Sequence, residues 1–389
     1  MKQTGLNMGL VKTRNRSLIL NYINANGAVS RKDIAAATGL TPAAVTIISQ
    51  ELIAEGILME VGPDEAGGGA GRRKMLVDID YDSRYLFSVN IEKESTTIVV
   101  CNLKGNMKSK KVVADTADFT GEAAGKKSAG KKAAGKTSGL RIIAEKCRQL
   151  RSEMPDDEAG RIAAVSVGIT GIVDTEKGSS VHAYDIWEDE VDVCGELSEL
   201  LELPCYIENN VNALAKAIVL YGEGRRYENL LIVKWGPGVG SAIIIDNELY
   251  EGRHGKAAEL GHVIVDRDGI KCSCGRRGCL ETRISANAIR EMLEADKKPA
   301  SGSRAKTELD EALDIFARTV VNSATVLAPN RIVLCGYLFR DQERRSCFIE
   351  HAKAYDGAFD ENRILYNSLS ECEDYIGPVA SYVKQYVFG

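Results

Sequence analysis

At 389 residues the chain is long for one domain and suits two or three, and its 44% hydrophobic and 27% charged content is that of a soluble globular protein. No apolar run approaches the ~20 residues that span a bilayer, and the N-terminus has no apolar signal core, so no membrane segment and a cytoplasmic location are expected. The net charge of −5 excludes a uniformly basic surface, yet residues 1–32 hold Lys2, Lys12, Arg14, Arg16, Arg31 and Lys32 with no acid, which leaves −11 for the remainder.

A basic end on an acidic body suits a protein that meets nucleic acid at one end only. From Arg14 to Asn26, the apolar residues Ile19, Tyr22 and Ile23 fall on one helical face, and Gly27 ends the helix. Ser30 with Asp33 three residues later reads as a cap opening a second helix through Ala37, and Thr38-Gly39 supplies a tight turn. Thr41-Pro42 starts a third helix, with threonine as cap, proline at the first helical position and Val45, Ile48 and Leu52 facing inward. Two short helices around a glycine turn form a helix-turn-helix. Ile57–Glu60 and the alternating Met75, Val77, Ile79 read as strands of a wing, joined by a glycine-rich tip that ends in Arg72-Arg73-Lys74. DNA contacts are therefore expected from Thr41, Ala43, Ala44, Thr46 and Ser49 on the third helix and from Arg72, Arg73 and Lys74 on the wing. The third helix carries no arginine or lysine, so base reading rests on hydroxyls, methyl contacts and the wing.

The body follows. Strands are expected at Leu86–Ile91, Thr96–Asn102 and Met107–Ala114, and a buried strand at Ile162–Ile169. Residues 118–139 repeat Ala-Gly-Lys-Lys units and read as a solvated loop, after which Leu140, Ile143, Cys147 and Leu150 resume a helical pattern. In a reducing compartment ten cysteines are mainly reduced or metal-bound. Seven are scattered and suit small buried hydrophobes. The other three form Cys272-x-Cys274-x4-Cys279 with His262 ten residues upstream. Three thiolates and one imidazole complete a closed tetrahedral zinc site, one structural ion per chain.

Four motifs carry a family resemblance. They are Ala164–Asp174, Ile207-Glu-Asn-Asn-Val-Asn212, Lys234-Trp-Gly-Pro-Gly-Val-Gly-Ser241, and Ala258-Glu-Leu-Gly-His262 followed by the Cys272–Glu281 segment. Together they resemble the ROK family, which groups sugar kinases with repressors of the xylose-repressor type. The resemblance implies an α/β fold: the winged helix-turn-helix followed by a two-lobed actin-like, ribonuclease-H-like ATPase-type body with sugar in its cleft. The expected divisions are 1–79 for the DNA-binding domain, 80–203 for the first lobe and 204–389 for the second, with the C-terminal helix free to return to the first. Asn209, Asn210, Glu259, His262 and Glu281 match the family's sugar-contacting positions, and Asp185 lies near another. The resemblance also implies that His262 ligates zinc with one ring nitrogen and faces the sugar with the other.

Phosphoryl transfer needs backbone approach to phosphates and a base for the sugar hydroxyl. The resemblance places Asn90-Ile-Glu-Lys-Glu-Ser95 at the first phosphate loop, without its glycines, and Asn210 where the family has its aspartate base. The late nucleotide glycines correspond to Leu334-Cys-Gly-Tyr337. A sugar-responsive transcriptional regulator, probing operator DNA as a homodimer or higher oligomer and without kinase activity, is the expectation. The alternatives are an active sugar kinase with an appended DNA-binding module, or a DNA-binding protein whose body only dimerises.

Overall fold

Capping chemistry sets the N-terminal helices. Helix α1 (Met8–Asn26) buries Ile19, Leu20 and Ile23. The Ser30 hydroxyl accepts from the Asp33 backbone N–H at 3.2 Å and donates to the Asp33 carboxylate at 2.6 Å, opening α2 (Arg31–Thr38). Gly39 turns the chain at φ +70°, and Thr41 accepts from the Ala44 N–H at 3.2 Å to open α3 (Pro42–Ala54). Each such cap contributes ~1 kcal/mol. Strands β2 (Leu58–Pro63) and β3 (Met75–Ile79) pair antiparallel, and β1 (Val29–Ser30) joins the far edge of β3. The unit is a winged helix-turn-helix. The computed structural model describes residues 8–63, 74–116, 132–183, 186–187, 189–236, 238–284 and 302–389. Arg72 and Arg73 at the wing tip, and Asp185, lie outside the described residues.

The body holds two five-stranded sheets of one design. In the first, β4 (Tyr85–Ile91), β5 (Ser95–Asn102) and β6 (Val112–Asp115) form an antiparallel meander, and β7 (Ile162–Ile169) and β10 (Cys205–Asn209) add parallel strands beyond β4. A small hairpin of β8 (Ile172–Asp174) and β9 (Ser179–His182) stands beside it. In the second, β11 (Leu230–Trp235), β12 (Val239–Ile245) and β13 (Glu248–Leu249) make the meander, and β14 (Arg331–Cys335) and β15 (Ile364–Tyr366) the parallel pair. The orders β6-β5-β4-β7-β10 and β13-β12-β11-β14-β15 are the same topology twice. Every residue of β4 is buried, as befits a central strand covered on both faces.

Three expectations are corrected. The third strand starts at Val112 rather than Met107, because the Ser109 hydroxyl takes the Val100 N–H at 2.9 Å and interrupts the ladder. Helix α4 (Lys132–Ser152) begins inside the segment read as a loop, where alanine and lysine favour helix and Leu140, Ile143 and Cys147 bury the following turns. The first lobe does not end at 203, since β10 lies beyond that point and pairs with β7.

From β10 the chain enters α6 (Asn210–Leu220); α5 (Val193–Leu201) precedes it, and α7 (Leu280–Arg283), α8 (Gly302–Leu327) and α9 (Gln342–Tyr355) belong to the second lobe. Helix α10 (Ile376–Tyr382) returns to the first lobe, where Ser88 donates to Tyr375 O at 2.6 Å and Ser166 to Pro378 O at 2.7 Å. The winged helix docks on this assembly. One apolar cluster runs from Ile23 and Leu58 through Leu214 and Ile218 of α6 to Val383 and Phe388. Asn24 donates to Leu220 O, the last residue of α6, at 2.6 Å and accepts from the Tyr81 hydroxyl at 2.7 Å. Among the described residues no helix is long and apolar enough to cross a membrane.

Candidate binding cleft and metal cluster

Parallel strands end together, and their ends make one wall of a cleft of about 310 Å³. Ile169 of β7 is in register with Ile91 of β4 and Asn209 of β10, so Glu92, Thr170 and Asn210 emerge side by side. Asn209 caps α6: its carbonyl accepts from the N–H groups of Val211 at 2.9 Å and Asn212 at 3.1 Å, and its amide donates to Gly171 O at 2.8 Å. Most of its hydrogen-bonding capacity is thereby used inside the fold. Asn210 donates to Thr170 Oγ1 and to Glu92 Oε1, both at 3.2 Å.

The second lobe supplies the opposite wall. Ala258 takes a left-handed backbone, φ +57°, held by the Ser241 hydroxyl, which donates to Ala258 O and accepts from the Leu260 N–H at 3.3 Å. Such a backbone costs ~1 kcal/mol at a non-glycine residue and directs Glu259 into the cleft. Glu281 accepts from the Val239 N–H at 3.4 Å, and a Cβ on Gly238 would stand 2.9 Å from its carboxylate, so a side chain there would push Glu281 aside. Burial raises the Glu259 carboxyl above the usual range, partly offset by His262 and Arg276, and burial lowers the His262 imidazole. Glu259, His262 and Glu281 therefore converge on the cleft as hydrogen-bond acceptors and donors.

One end of the cleft is filled from within. Glu92, just past β4, pairs at 2.5 Å with Lys234 of β11, the two side chains keeping only 16% and 14% of their exposure. Asn90 also donates to Glu92 at 3.2 Å. Burial opposes the charge on Glu92, but the Lys234 ammonium and the amides of Asn90 and Asn210 outweigh it and hold the carboxyl low. Burial likewise opposes the charge on Lys234, and the carboxylates of Glu92 and Glu373 overcome it. Glu373 accepts from the Gly336 N–H at 3.3 Å, the glycine remaining in the Leu334–Tyr337 segment, and from Asn367 at 2.8 Å. In the sequence Glu92 stands only as part of the segment that lacks the phosphate loop's glycines. A lysine inside an apolar strand was the signal for its partner.

His262, Cys272, Cys274 and Cys279 come together with all four ligand atoms within 4.8 Å of one another. Cys272 Sγ lies 3.5 Å from His262 Nδ1, and Cys274 Sγ 3.6 Å from Cys279 Sγ. Tetrahedral zinc, with Zn–S of ~2.3 Å, needs edges of this length, so the donor set fits such an ion. Nε2 of the same ring points the other way, 3.8 Å from Glu259 Oε2. Burial works against the Cys274 thiolate, yet the Arg276 backbone N–H, hydrogen bonds with Cys272 and Cys279 and the Arg276 guanidinium together outweigh it and keep its thiol below the usual value.

On α3, Thr41, Ala43 and Thr46 are exposed, Ala44 is half-buried, and Thr46 donates to Pro42 O at 2.8 Å. Ser49 is corrected: it is fully buried, four residues after Val45 and three before Leu52, and cannot meet a groove. Gln50 is exposed in its place, an amide able to pair with adenine. Lys74 pairs with Asp33 at 3.3 Å, tying the wing to α2.

The ROK family model matches residues 119–352, and a winged helix-turn-helix DNA-binding model matches residues 12–59. The xylose repressor of Caldicellulosiruptor bescii is 29% identical over 289 residues, covering 74% of this chain and 68% of the relative. The xylose repressor of Bacillus subtilis is 25% identical over 294 residues, covering 75% and 71%. The Escherichia coli transcriptional dual regulator NagC is 29% identical over 285 residues, covering 73% and 65%. In fold, a ROK family transcriptional regulator homologous to E. coli Mlc superposes with a TM-score of 0.70 at 19% identity, over 95% of this chain and 96% of that one. A Streptomyces griseus ROK glucokinase gives 0.62 at 20% identity, over 77% and 99%.

Proposed function

Because the chain belongs to the ROK family, whose model spans more than half of it, we propose that it is a sugar-responsive DNA-binding repressor whose cleft binds a sugar without phosphorylating it. The observation that carries this reading is the division of the cleft. Glu259, His262, Asn210 and Glu281 line a polar pocket, while the Glu92–Lys234 pair closes the end where the family's phosphate loops meet. A carboxylate there takes the lysine that a phosphate would otherwise meet, and Asn210 offers an amide that cannot accept a proton as a base. The repressor relatives, together with the winged helix-turn-helix match over residues 12–59, support the same reading.

His262, Cys272, Cys274 and Cys279 hold one structural zinc ion. The ion supplies charge that stabilises the thiolates and fixes the His262 ring against the cleft. Asn209 acts through its cap on α6, and Asp185 is a further sugar-contacting residue. On DNA, Thr41, Ala43, Ala44 and Thr46 meet the major groove, and Arg72, Arg73 and Lys74 reach phosphates or the minor groove. The repressor acts in the cytoplasm as a homodimer, placing two winged helices on a pseudo-palindromic operator. Exposed Val263, Ile264 and Val326 offer apolar surface for that assembly.

A thermal-shift screen with xylose, N-acetylglucosamine, glucose and their phosphates, run beside an ATP-turnover assay, tests the reading. One sugar should raise the melting temperature, by about 2.7 kcal/mol of stabilisation at a hundredfold excess over its Kd. ADP release should stay at background. Turnover of ~1–100 s⁻¹ with that sugar would make the protein a kinase.

A further inference from the structure

Helices α8 and α9 lie side by side over an aromatic seam in which the Phe316 and Phe348 rings are 5.8 Å apart. On their outer side each carries two polar residues four apart, and therefore on one face: Asp310 and Asp314 on α8, Cys347 and His351 on α9. The two pairs interlock. Cys347 Sγ and His351 Nε2 each lie 3.0 Å from Asp310 Oδ1, and the three ligand atoms fall within 4.8 Å of one another. Nδ1 of the same imidazole lies 3.3 Å from Asp314 Oδ1, and the Tyr355 hydroxyl donates to both Asp314 oxygens at 2.9 and 2.8 Å.

We propose that Asp310, Cys347 and His351 form a second metal site, for a divalent ion of the zinc class, with Asp314 orienting the imidazole through Nδ1. It shares no residue with the Cys272 cluster. Thiolate, imidazole and carboxylate are the three donor types that zinc accepts, and a thiolate with an imidazole disfavours magnesium and calcium. A carboxylate on the far nitrogen of a ligating histidine fixes its tautomer and ring direction, which is the arrangement Asp314 provides. Tyr355 in turn fixes Asp314. The packed seam beneath holds both helices in register, so the ligands are placed before an ion arrives. Cys347 and His351 remain partly exposed, which gives the ion a path, and three protein ligands leave a fourth position for water.

An imidazolium bridging the two aspartates is the competing arrangement. It accounts for His351, and the Cys347 thiol then donates to the Asp310 carboxylate, with Glu343 and Glu350 adding negative charge around the sulfur. A divalent cation answers both groups at once, displacing the Cys347 thiol proton and the proton on Nε2 where the ring is charged.

The test uses the full chain with its Cys272 cluster loaded with zinc, titrated with Co²⁺ alone. One further equivalent should bind and give thiolate-to-cobalt charge-transfer absorption. Cys347→Ser should abolish that absorption, His351→Ala should abolish the binding event, and Asp314→Asn should weaken it roughly 10–100-fold. All three positions are partly exposed, and unchanged circular dichroism will show that the variants fold. Absence of a second equivalent in the wild type, or absorption that persists in Cys347→Ser, overturns the site; the latter places cobalt in the Cys272 cluster instead.

Discussion

At Asn210 the difference between a base and a hydrogen-bond donor is one atom. Its amide donates to Glu92 and Thr170. Asn210→Asp replaces a donor to Glu92 with a like charge beside it, and Glu92 still pairs with Lys234. ATP turnover by this variant, measured as ADP release with the stabilising sugar, should stay at background; turnover near 1 s⁻¹ would show that the lost base alone silences the chemistry. The ion pair also predicts a pH dependence. Glu92 is held below the ordinary glutamate value of about 4.3, so its contribution is fully present above that pH and is lost as pH falls through the depressed folded value. Lys234 is raised, so its contribution persists to the ordinary lysine value of about 10.4 and fades above it. Glu92→Gln leaves Lys234 without its close partner and should cost about 3 kcal/mol, the low end for breaking a buried pair, since both groups keep some water contact. Denaturation of the two proteins across pH checks this. The stability gap should be constant between about pH 5 and 9 and narrow below about 4.3; a gap unchanged into acid contradicts the pairing.

Elements defined by local chemistry were legible in the sequence, and those defined by distant pairing were not. The Ser30 and Thr41 caps, the Gly39 turn and the buried β4 and β7 follow from neighbours in the chain. The late start of β6, the membership of β10 in the first sheet and the pairing of Glu92 with Lys234 depend on partners far away, which periodicity does not encode. Ser49 was within reach, because a helical count from Val45 and Leu52 turns it inward and Gln50 outward. The Cys/His cluster was legible because its four residues sit in one short segment. Cys274→Ser should lose the zinc of that cluster and lower the melting temperature of the body, measured by metal analysis and calorimetry; full metal content at that site would contradict the assignment. Helix α6 joins the two functions. Its 11 residues extend ~16 Å, from Asn210 in the cleft to Leu220, which accepts from Asn24 of the winged helix. Asn24→Ala removes that bond and the one from Tyr81. Sugar affinity without DNA should be unchanged, while the coupling between sugar and operator, typically ~1–3 kcal/mol, should fall. Isothermal titration with and without operator reads both quantities, and undiminished coupling would remove α6 from the path.

On the scale of the whole molecule, a basic winged helix rests on an acidic body through a continuous apolar core, so its orientation follows the arrangement of the lobes. The Glu92–Lys234 pair bridges those lobes beside the cleft, and a ligand that closes or opens the cleft acts on both lobes together. For a sugar to release DNA it must bind the DNA-incompetent arrangement more tightly, and operator must weaken sugar binding by the same factor. Glu259 is the residue on which this claim turns, since it lines the pocket beside His262. Operator affinity, followed by fluorescence anisotropy at fixed salt for wild type and Glu259→Ala with and without the stabilising sugar, is the most direct test. The wild type should lose affinity about 5–150-fold on adding sugar, the range of ordinary allosteric coupling. Glu259→Ala should match the wild type without sugar and show no change with it. Release of DNA from the Glu259→Ala protein at the same sugar concentration would contradict the account, because the sensing site would then lie outside the cleft.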